Sequence, residues 1–307
     1  MTAKVFIDGA EGTTGLEIVE RLEPRTEFSL IRLGEAERKD AEARRAAYHE
    51  ADFAVLCLPD AAAREAVALA EGAKVRIVDA SSAHRVADGW TYGFPEVVGR
   101  ERVAVSARVS NPGCYPTGFI ALLAPLIRNG LVPADWPYVC HAVSGYSGGG
   151  KALIARFQDD ADIAFRDYGL AMGHKHVPEM QRLCGLRHAP LFAPAVIPAH
   201  RGMVVEVPLH LSQMERPAPV DGLRQCLQYF YADSAVVTLH EDQPDELVLR
   251  RSMPPSDRLD LYVFGSADGT QARLVAVLDN LGKGASGAAV QNLNLMAGLP
   301  EIAGLRL

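Results

Sequence analysis

The chain has 307 residues, with 31 Lys and Arg against 38 Asp and Glu and a formal net charge of -7, and no basic tract stands apart from acidic neighbours. That balance argues against nucleic acid or an anionic membrane surface as the main partner and leaves any small anionic metabolite to a local cluster. The length exceeds one ordinary hydrophobic core, and five scattered cysteines never spaced C-x-x-C suit reduced thiols rather than a disulfide framework or structural zinc, so a two-domain cytoplasmic protein is expected.

Met1-Thr2-Ala3-Lys4-Val5-Phe6 enters a strand pattern with no charged leader, and no later run is long enough to span a bilayer. Short apolar runs then alternate with helical patterns: Val5 to Ile7 and Leu16 to Leu22, Phe28 to Leu33 and Ala41 to Tyr48, Phe53 to Leu58 and Ala61 to Ala70, then Val75 to Val78. This alternation predicts βαβ units and a parallel, Rossmann-like doubly wound sheet. Between the first strand and its helix lies Gly9-Ala10-Glu11-Gly12-Thr13-Thr14-Gly15, spaced G-x-x-G-x-x-G. Glycines there let backbone N–H groups approach a pyrophosphate while the helix N-terminus offsets its charge, so Gly9, Gly12, Thr13, Thr14 and Gly15 are expected to hold a dinucleotide. Arg32 ends the second strand, with Arg38 and Lys39 shortly after. Cations at that place favour the 2'-phosphate of NADP(H), although Glu35 stands close by.

Around Pro112 the texture changes. Cys114, in Ser110-Asn111-Pro112-Gly113-Cys114-Tyr115-Pro116-Thr117, precedes an apolar helix from Phe119 to Ile127. Unpaired amides and the positive end of the helix dipole favour thiolate there, which makes Cys114 the candidate nucleophile. Tyr138 to Val143, Leu191 to Ile197, Met203 to Leu211, Leu259 to Phe264 and Ala272 to Leu278 read as strands, several of them alternating. They predict a second α+β domain with a mixed, largely antiparallel sheet. Gly145 to Lys151 and Met214 to Pro219 read as loops within it.

Thiol chemistry with hydride transfer needs a proton donor near neutral pH, and His174-Lys175-His176-Val177-Pro178-Glu179 is the densest candidate. The pair lacks a third ligand at metal-binding spacing, so no metal is expected. A loop running into a helix from Val177 to Leu183 should make the two rings diverge, with at most one facing the sulfur. Arg201, in Pro198-Ala199-His200-Arg201-Gly202, is a candidate bidentate clamp for an anionic substrate. The last segment, Ala285 to Met296, is helical and rich in small residues.

Taken together, these motifs resemble the shorter, second type of N-acetyl-gamma-glutamyl-phosphate reductase, the NADPH-dependent enzyme of arginine biosynthesis. The resemblance runs the length of the chain. It is carried by the Gly9 to Gly15 loop, Leu56-Cys57-Leu58-Pro59, Asp79-Ala80-Ser81-Ser82-Ala83-His84-Arg85, Tyr92-Gly93-Phe94-Pro95-Glu96 and the segment around Cys114. It continues through His174 to Glu179, Phe192-Ala193-Pro194 with Pro198 and Arg201-Gly202, and closes on Asp279-Asn280-Leu281-Gly282-Lys283-Gly284 and the residues after it. It implies Cys114 as nucleophile, His174 as acid/base, and Ser144, Gly145, Tyr168, His176 and Arg201 around the acyl phosphate. It also implies cofactor contacts from Leu58, Pro59, Ser81, Ser82, Asn280 and Gly284, with Asn280 and the following glycines approaching the nicotinamide. Ser144 to Lys151 is longer than the S-G-A-G-R form of the larger type, and the second strand region is abbreviated, so Arg32 and Arg38 rest on position alone.

The implied division is a dinucleotide-binding domain, 1–112, completed by 284–307, and a catalytic and oligomerisation domain, 113–283. The apolar strands of the latter suit a homodimer or homotetramer. The implied reaction is NADPH-dependent reduction of N-acetyl-glutamyl 5-phosphate to the semialdehyde and phosphate through a cysteine thioester. The nearest alternative is another acyl-phosphate reductase such as aspartate-semialdehyde dehydrogenase. A remote one is a non-catalytic NADP-binding redox sensor.

Overall fold

The strands of the first sheet are short and its central ones are largely enclosed, as a sheet covered by helices on both faces requires. In chain order the elements are β1 (Ala3–Asp8), α1 (Thr13–Leu22), β2 (Phe28–Ile31), α2 (Ala41–Glu50), β3 (Phe53–Leu56), α3 (Asp60–Leu69), β4 (Arg76–Asp79), β5 (Thr91–Tyr92), α4 (Pro95–Val98), α5 (Arg100–Ala104) and β6 (Arg108–Ser110). All pairings are parallel, in the order β2-β1-β3-β4-β6-β5. The order reverses between β1 and β3, which places the crevice for a ligand at the carboxyl ends of those strands. Asp40 caps α2 by accepting the Ala43 N–H at 2.8 Å.

The computed structural model describes residues 2–307 and divides into two units. The first runs to Gly113 and takes in Ala285–Leu305, while the second comprises Cys114–Gly284 with Arg306–Leu307.

The second unit opens with α6 (Cys114–Arg128), buried along most of its length. It continues with β7 (Val139–Gly145), α7 (Gly150–Asp159), β8 (Arg166–Asp167), α8 (Val177–Cys184), β9 (Leu191–Ile197), β10 (Met203–His210), α9 (Val220–Phe230), β11 (Val237–Leu239), β12 (Leu259–Gly265) and β13 (Gln271–Leu278). The sheet order is β11-β12-β13-β10-β7-β9-β8. Its pairs are antiparallel except β7 with β9 and β11 with β12. Along β10, Met203, Val205, Val207 and Leu209 are buried while the intervening residues are not, the period of a sheet with one face packed. Gly118 of α6 lies against Val205 and Ala276, so the helix backbone rides directly on that face. The final helix, α10 (Gly287–Met296), belongs to the first unit, where Ala289, Val290, Leu293 and Met296 join Val5, Ile18 and Val55 in one core.

The α/β parallel sheet and the mixed second sheet match the sequence expectation. The glycine run does not stay a loop. Tyr146–Gly149 form a 3-10 turn, and α7 starts at Gly150 with φ +69. The reason is amphipathicity: Phe157 is buried and stacks on Tyr146 at 5.2 Å, which anchors a helix the glycines obscure. Helix α9 also goes unannounced, although Leu223 and Leu227 supply its buried stripe. Among the described residues no helix is long and apolar enough to cross a membrane.

Candidate active site

In the first unit, the glycine loop closes tightly on the end of β3. Gly9 has φ +87, and a Cβ there would stand 2.3 Å from the Cys57 carbonyl oxygen and 3.2 Å from Leu58 Cδ2; one at Gly15 would stand 2.4 Å from the Gly9 carbonyl oxygen. Only glycine fits either place. Gly12 is the N-cap of α1 and provides no side-chain cap, so the first amides, from Thr13 to Gly15, take no side-chain partner from it. A pyrophosphate fits that arrangement. Leu58 and Pro59 follow β3, with Pro59 as N-cap of α3. Ser81 follows β4 and donates to Asp79 at 2.8 Å, while Ser82 donates to Asp60 at 2.7 Å. The structure thus gathers the Gly9 loop, Leu58, Pro59, Ser81 and Ser82 at the carboxyl ends of β1, β3 and β4. Arg32 and Arg38 sit past β2, paired with Glu23 at 2.5 Å and Glu35 at 3.1 Å.

In the second unit, Cys114 is the first residue of α6 and half-buried. Pro116 is harmless in the first turn because its missing N–H would have no intrahelical acceptor. The other four thiols are held protonated. Loss of solvent around the sulfur pushes Cys57 up to about 12, with Asp79 and Asp8 adding to the effect. Burial likewise raises Cys140, Cys184 and Cys226.

Tyr115, directly after Cys114, forms one wall of an aromatic box. Its ring meets His174 edge-on at 6.3 Å, His176 at 5.8 Å and Phe192 at 5.1 Å. Tyr168 meets His174 at 5.7 Å and donates its hydroxyl to that of Tyr115 at 3.3 Å, while Tyr115 donates to the Ala195 carbonyl at 3.0 Å. Burial pushes Tyr168 up to about 12 against the opposing effect of its Tyr115 bond, and the Cys114 charge adds to the rise. Burial raises Tyr115 further, with Tyr168 and then Cys114 contributing. Both phenols therefore stay neutral around the sulfur.

The two histidine rings do not diverge as the spacing suggests. They pack edge to face at 4.7 Å. The segment before α8 is folded back on itself: the His176 N–H donates to His174 Nδ1 at 3.2 Å and the Val177 N–H to the His174 carbonyl at 3.0 Å. Because Nδ1 is an acceptor, neutral His174 carries its proton on Nε2.

Ser144 and Gly145 end β7 and lie against the 199–202 segment, where Gly145 N–H donates to Gly202 O at 2.8 Å and Tyr146 N–H to Ala199 O at 2.9 Å. Arg201 is held by buried Asp279, Nη1 to Oδ2 at 2.7 Å. Asn280 joins the two segments, donating to Ser147 Oγ at 2.9 Å and accepting from Gly202 N–H at 3.0 Å.

Residues 4–105 match the family described as semialdehyde dehydrogenase, NAD binding domain, and residues 114–280 the family described as semialdehyde dehydrogenase, dimerisation domain. The chain is 46% identical to N-acetyl-gamma-glutamyl-phosphate reductase 2 of Nostoc sp., over 98% of this chain and 99% of that protein. It is 48% identical to the protein of the same name from Pseudomonas putida, over 97% of each. The chain belongs to the N-acetyl-gamma-glutamyl-phosphate reductase family. A probable aspartate-semialdehyde dehydrogenase from Pseudomonas aeruginosa shares its fold, with a TM-score of 0.73 at 19% identity over 96% of this chain and 98% of that one.

For a reductase of this family, three supporting residues escape sequence reasoning. Asp279 was visible only as part of a motif, yet it anchors Arg201 and accepts the Ser256 and Leu281 N–H groups. His84 bonds buried Asp79 at 2.6 Å and stacks on Trp90 at 4.3 Å. Asn111 is 1% exposed. The only sequence signal for each was a polar residue inside an otherwise recognisable motif.

Proposed function

We propose that this enzyme reduces N-acetyl-glutamyl 5-phosphate to N-acetyl-glutamate 5-semialdehyde and phosphate, with NADPH as reductant, as a step of arginine biosynthesis in the cytoplasm. The observation that carries the chemistry is a half-buried thiol opening α6 beside a box formed by Tyr115, Tyr168, His174 and His176. The Cys114 thiolate attacks the acyl carbon, and the phosphate leaves with the electron pair of the broken C–O bond, which yields a thioester. The α6 amides favour the anion that attacks. His174 directs its Nε2–H at the oxygen that becomes anionic, while Tyr168 and His176 hold the ring in place. When bound, the reduced nicotinamide supplies the hydride that brings the thioester to the aldehyde level. His174 shares its Nε2 proton with that oxygen and takes it back in full as the carbonyl re-forms and the C–S bond breaks, its electron pair leaving with Cys114 as thiolate.

Arg201, oriented by Asp279, takes the substrate carboxylate, and Ser144 and Gly145 line its approach. Gly9, Gly12, Thr13, Thr14 and Gly15 would hold the cofactor pyrophosphate, with Leu58, Pro59, Ser81 and Ser82 beside it and Asn280 and Gly284 toward the nicotinamide. Arg32 and Arg38 would exchange their carboxylate partners for the 2'-phosphate. Residues 1–112 with 284–307 act as the cofactor domain and 113–283 as the catalytic one, whose sheet joins copies into a homodimer or homotetramer. Overall identities of 46% and 48% to named reductases favour this substrate over the shorter aspartyl phosphate.

The test is the reverse reaction, NADP reduction by N-acetyl-glutamate semialdehyde in the presence of phosphate. Wild type should turn over with phosphate and prefer this aldehyde to aspartate semialdehyde. Cys114→Ser should lose that turnover and still bind NADPH. Turnover in the serine variant comparable to wild type refutes the thioester, and a preference for aspartate semialdehyde refutes the substrate.

A further inference from the structure

Buried Asn111 spends every polar group it has. Its N–H donates to Asp79 O at 2.7 Å and its carbonyl accepts from Arg85 Nε at 3.0 Å. Its side chain donates from Nδ2 to the Ala285 carbonyl at 2.9 Å and accepts at Oδ1 from Asn292 Nδ2 at 3.1 Å. Three residues later the chain reaches Cys114, and one residue before Ala285 stands Gly284. These two stretches are where the chain leaves the first unit, after Gly113, and re-enters it, at Ala285.

Gly284 lies against the nucleophile. A Cβ at that position would stand 2.9 Å from Cys114 Cβ, 3.5 Å from Cys114 Cα and 3.1 Å from the Asp279 carbonyl oxygen. The place is rigid, since Gly284 N–H donates to the same Asp279 carbonyl at 3.0 Å inside a π-helical turn, Gly282–Ser286. A methyl group there has no room without moving the thiol-bearing residue.

We infer that Asn111 and Gly284 are positioning residues for Cys114: the Asn111 amide holds the carbonyl of Ala285, the residue bonded to Gly284, and the bare face of Gly284 sets where the Cys114 side chain stands at the start of α6. The family resemblance implies that Gly284 serves the cofactor, whereas the close contact assigns its lack of a side chain to the thiol. The inference rests on the proposed role of Cys114 as nucleophile. Its physical content is that stabilisation of an anion by a helix start falls off within the first turn, and that small displacements of a reacting atom slow attack severely.

The test uses enzyme free of cofactor and substrate. Iodoacetamide alkylation of Cys114, located by peptide mass spectrometry, is followed from pH 5 to 10 for wild type, Gly284→Ala, Asn111→Ala and Asn111→Asp. The aspartate keeps the acceptor toward Asn292 and loses the donor toward Ala285. NADPH binding is measured on the same proteins by fluorescence titration. Gly284→Ala and both Asn111 variants should alkylate at least tenfold more slowly at pH 7, with the profile midpoint moved to higher pH, and the Asn111 variants should keep NADPH affinity within twofold of wild type. An unchanged alkylation profile overturns the inference, whether accompanied by a tenfold loss of NADPH affinity, which would mark a cofactor contact, or by a lower melting temperature alone, which would mark a merely structural role. Should Gly284→Ala fail to fold, Asn111→Asp decides by the same criterion. Failure of the proposed reaction would appear separately, as wild-type enzyme without phosphate-dependent turnover.

Discussion

Replacing Arg44 by Met should destabilise the first unit by about 3–5 kcal/mol, the usual cost of breaking a buried ion pair from one side. Asp8, at the end of β1, is 5% exposed, and Arg44 and Tyr48 of α2 are 6% and 0% exposed. Arg44 reaches one Asp8 oxygen twice, from Nε at 3.1 Å and Nη2 at 3.0 Å, and Glu65 at 2.7 Å, while the Tyr48 hydroxyl donates to the same Asp8 oxygen. Methionine leaves the Asp8 carboxylate with the phenol as its remaining side-chain donor among these groups. In urea unfolding followed by far-UV circular dichroism, an m-value of about 3 kcal/mol/M translates the loss into a midpoint lower by about 1 M or more. Because Gly9 follows Asp8 directly, the NADPH dissociation constant should also rise. Asp8→Asn combined with Arg44→Met should recover at least half of the loss, since no buried charge is left unpaired and Glu65, with its side chain 59% exposed, is left to solvent. A single-variant loss below about 1 kcal/mol, or a double variant no more stable than the single, would refute the account of this cluster.

The phosphate loop offers a sharper geometric test. Gly9→Ala places a methyl group 2.3 Å from the Cys57 carbonyl oxygen at φ +87, so NADPH affinity should fall at least tenfold while Cys114 alkylation without cofactor keeps its wild-type rate; unchanged affinity in a titration would contradict the loop's role. Alkaline pH should destabilise the fold. Cys57 rises from 9.0, and Tyr168 from 10.0, each to about 12 in the folded state. A folded pKa above the unfolded one gives stability that is complete below the unfolded value and lost as pH climbs through the folded value. The urea midpoint should therefore hold to about pH 9 and fall progressively toward pH 12. Cys57→Ala should lessen the earliest part of that decline, to which the raised Cys140, Cys184 and Cys226 also contribute, and a wild-type midpoint that is flat to pH 12 would show that these groups are not so perturbed.

The first unit was largely legible because its signals are local. Buried runs such as Phe53 to Leu56 and intervening amphipathic helices carry their period on the chain itself. Short elements were not, since β5 is only Thr91–Tyr92 and owes its strand state to pairing with Val109 and Ser110. In the second unit the alternating strands were readable but not their partners, and β7 lies parallel to β9 between antiparallel neighbours. Helix α7 was hidden because glycines at its start read as a loop, and Phe157 stabilises it only once Tyr146 is there to stack on.

By itself the sequence determined which groups are available: a thiol at a helix start, a pair of histidines, a glycine turn after the first strand, and an arginine between Ala199 and Gly202. Tertiary structure decided how those groups are oriented. The His174 tautomer follows from a backbone fold-back that spacing does not encode, and Arg201 is aimed by Asp279, 78 residues away. Asn111 reaches Ala285 across 174 residues. Periodicity and propensity act over a few residues, whereas a side chain's partner is chosen by packing after distant segments have met.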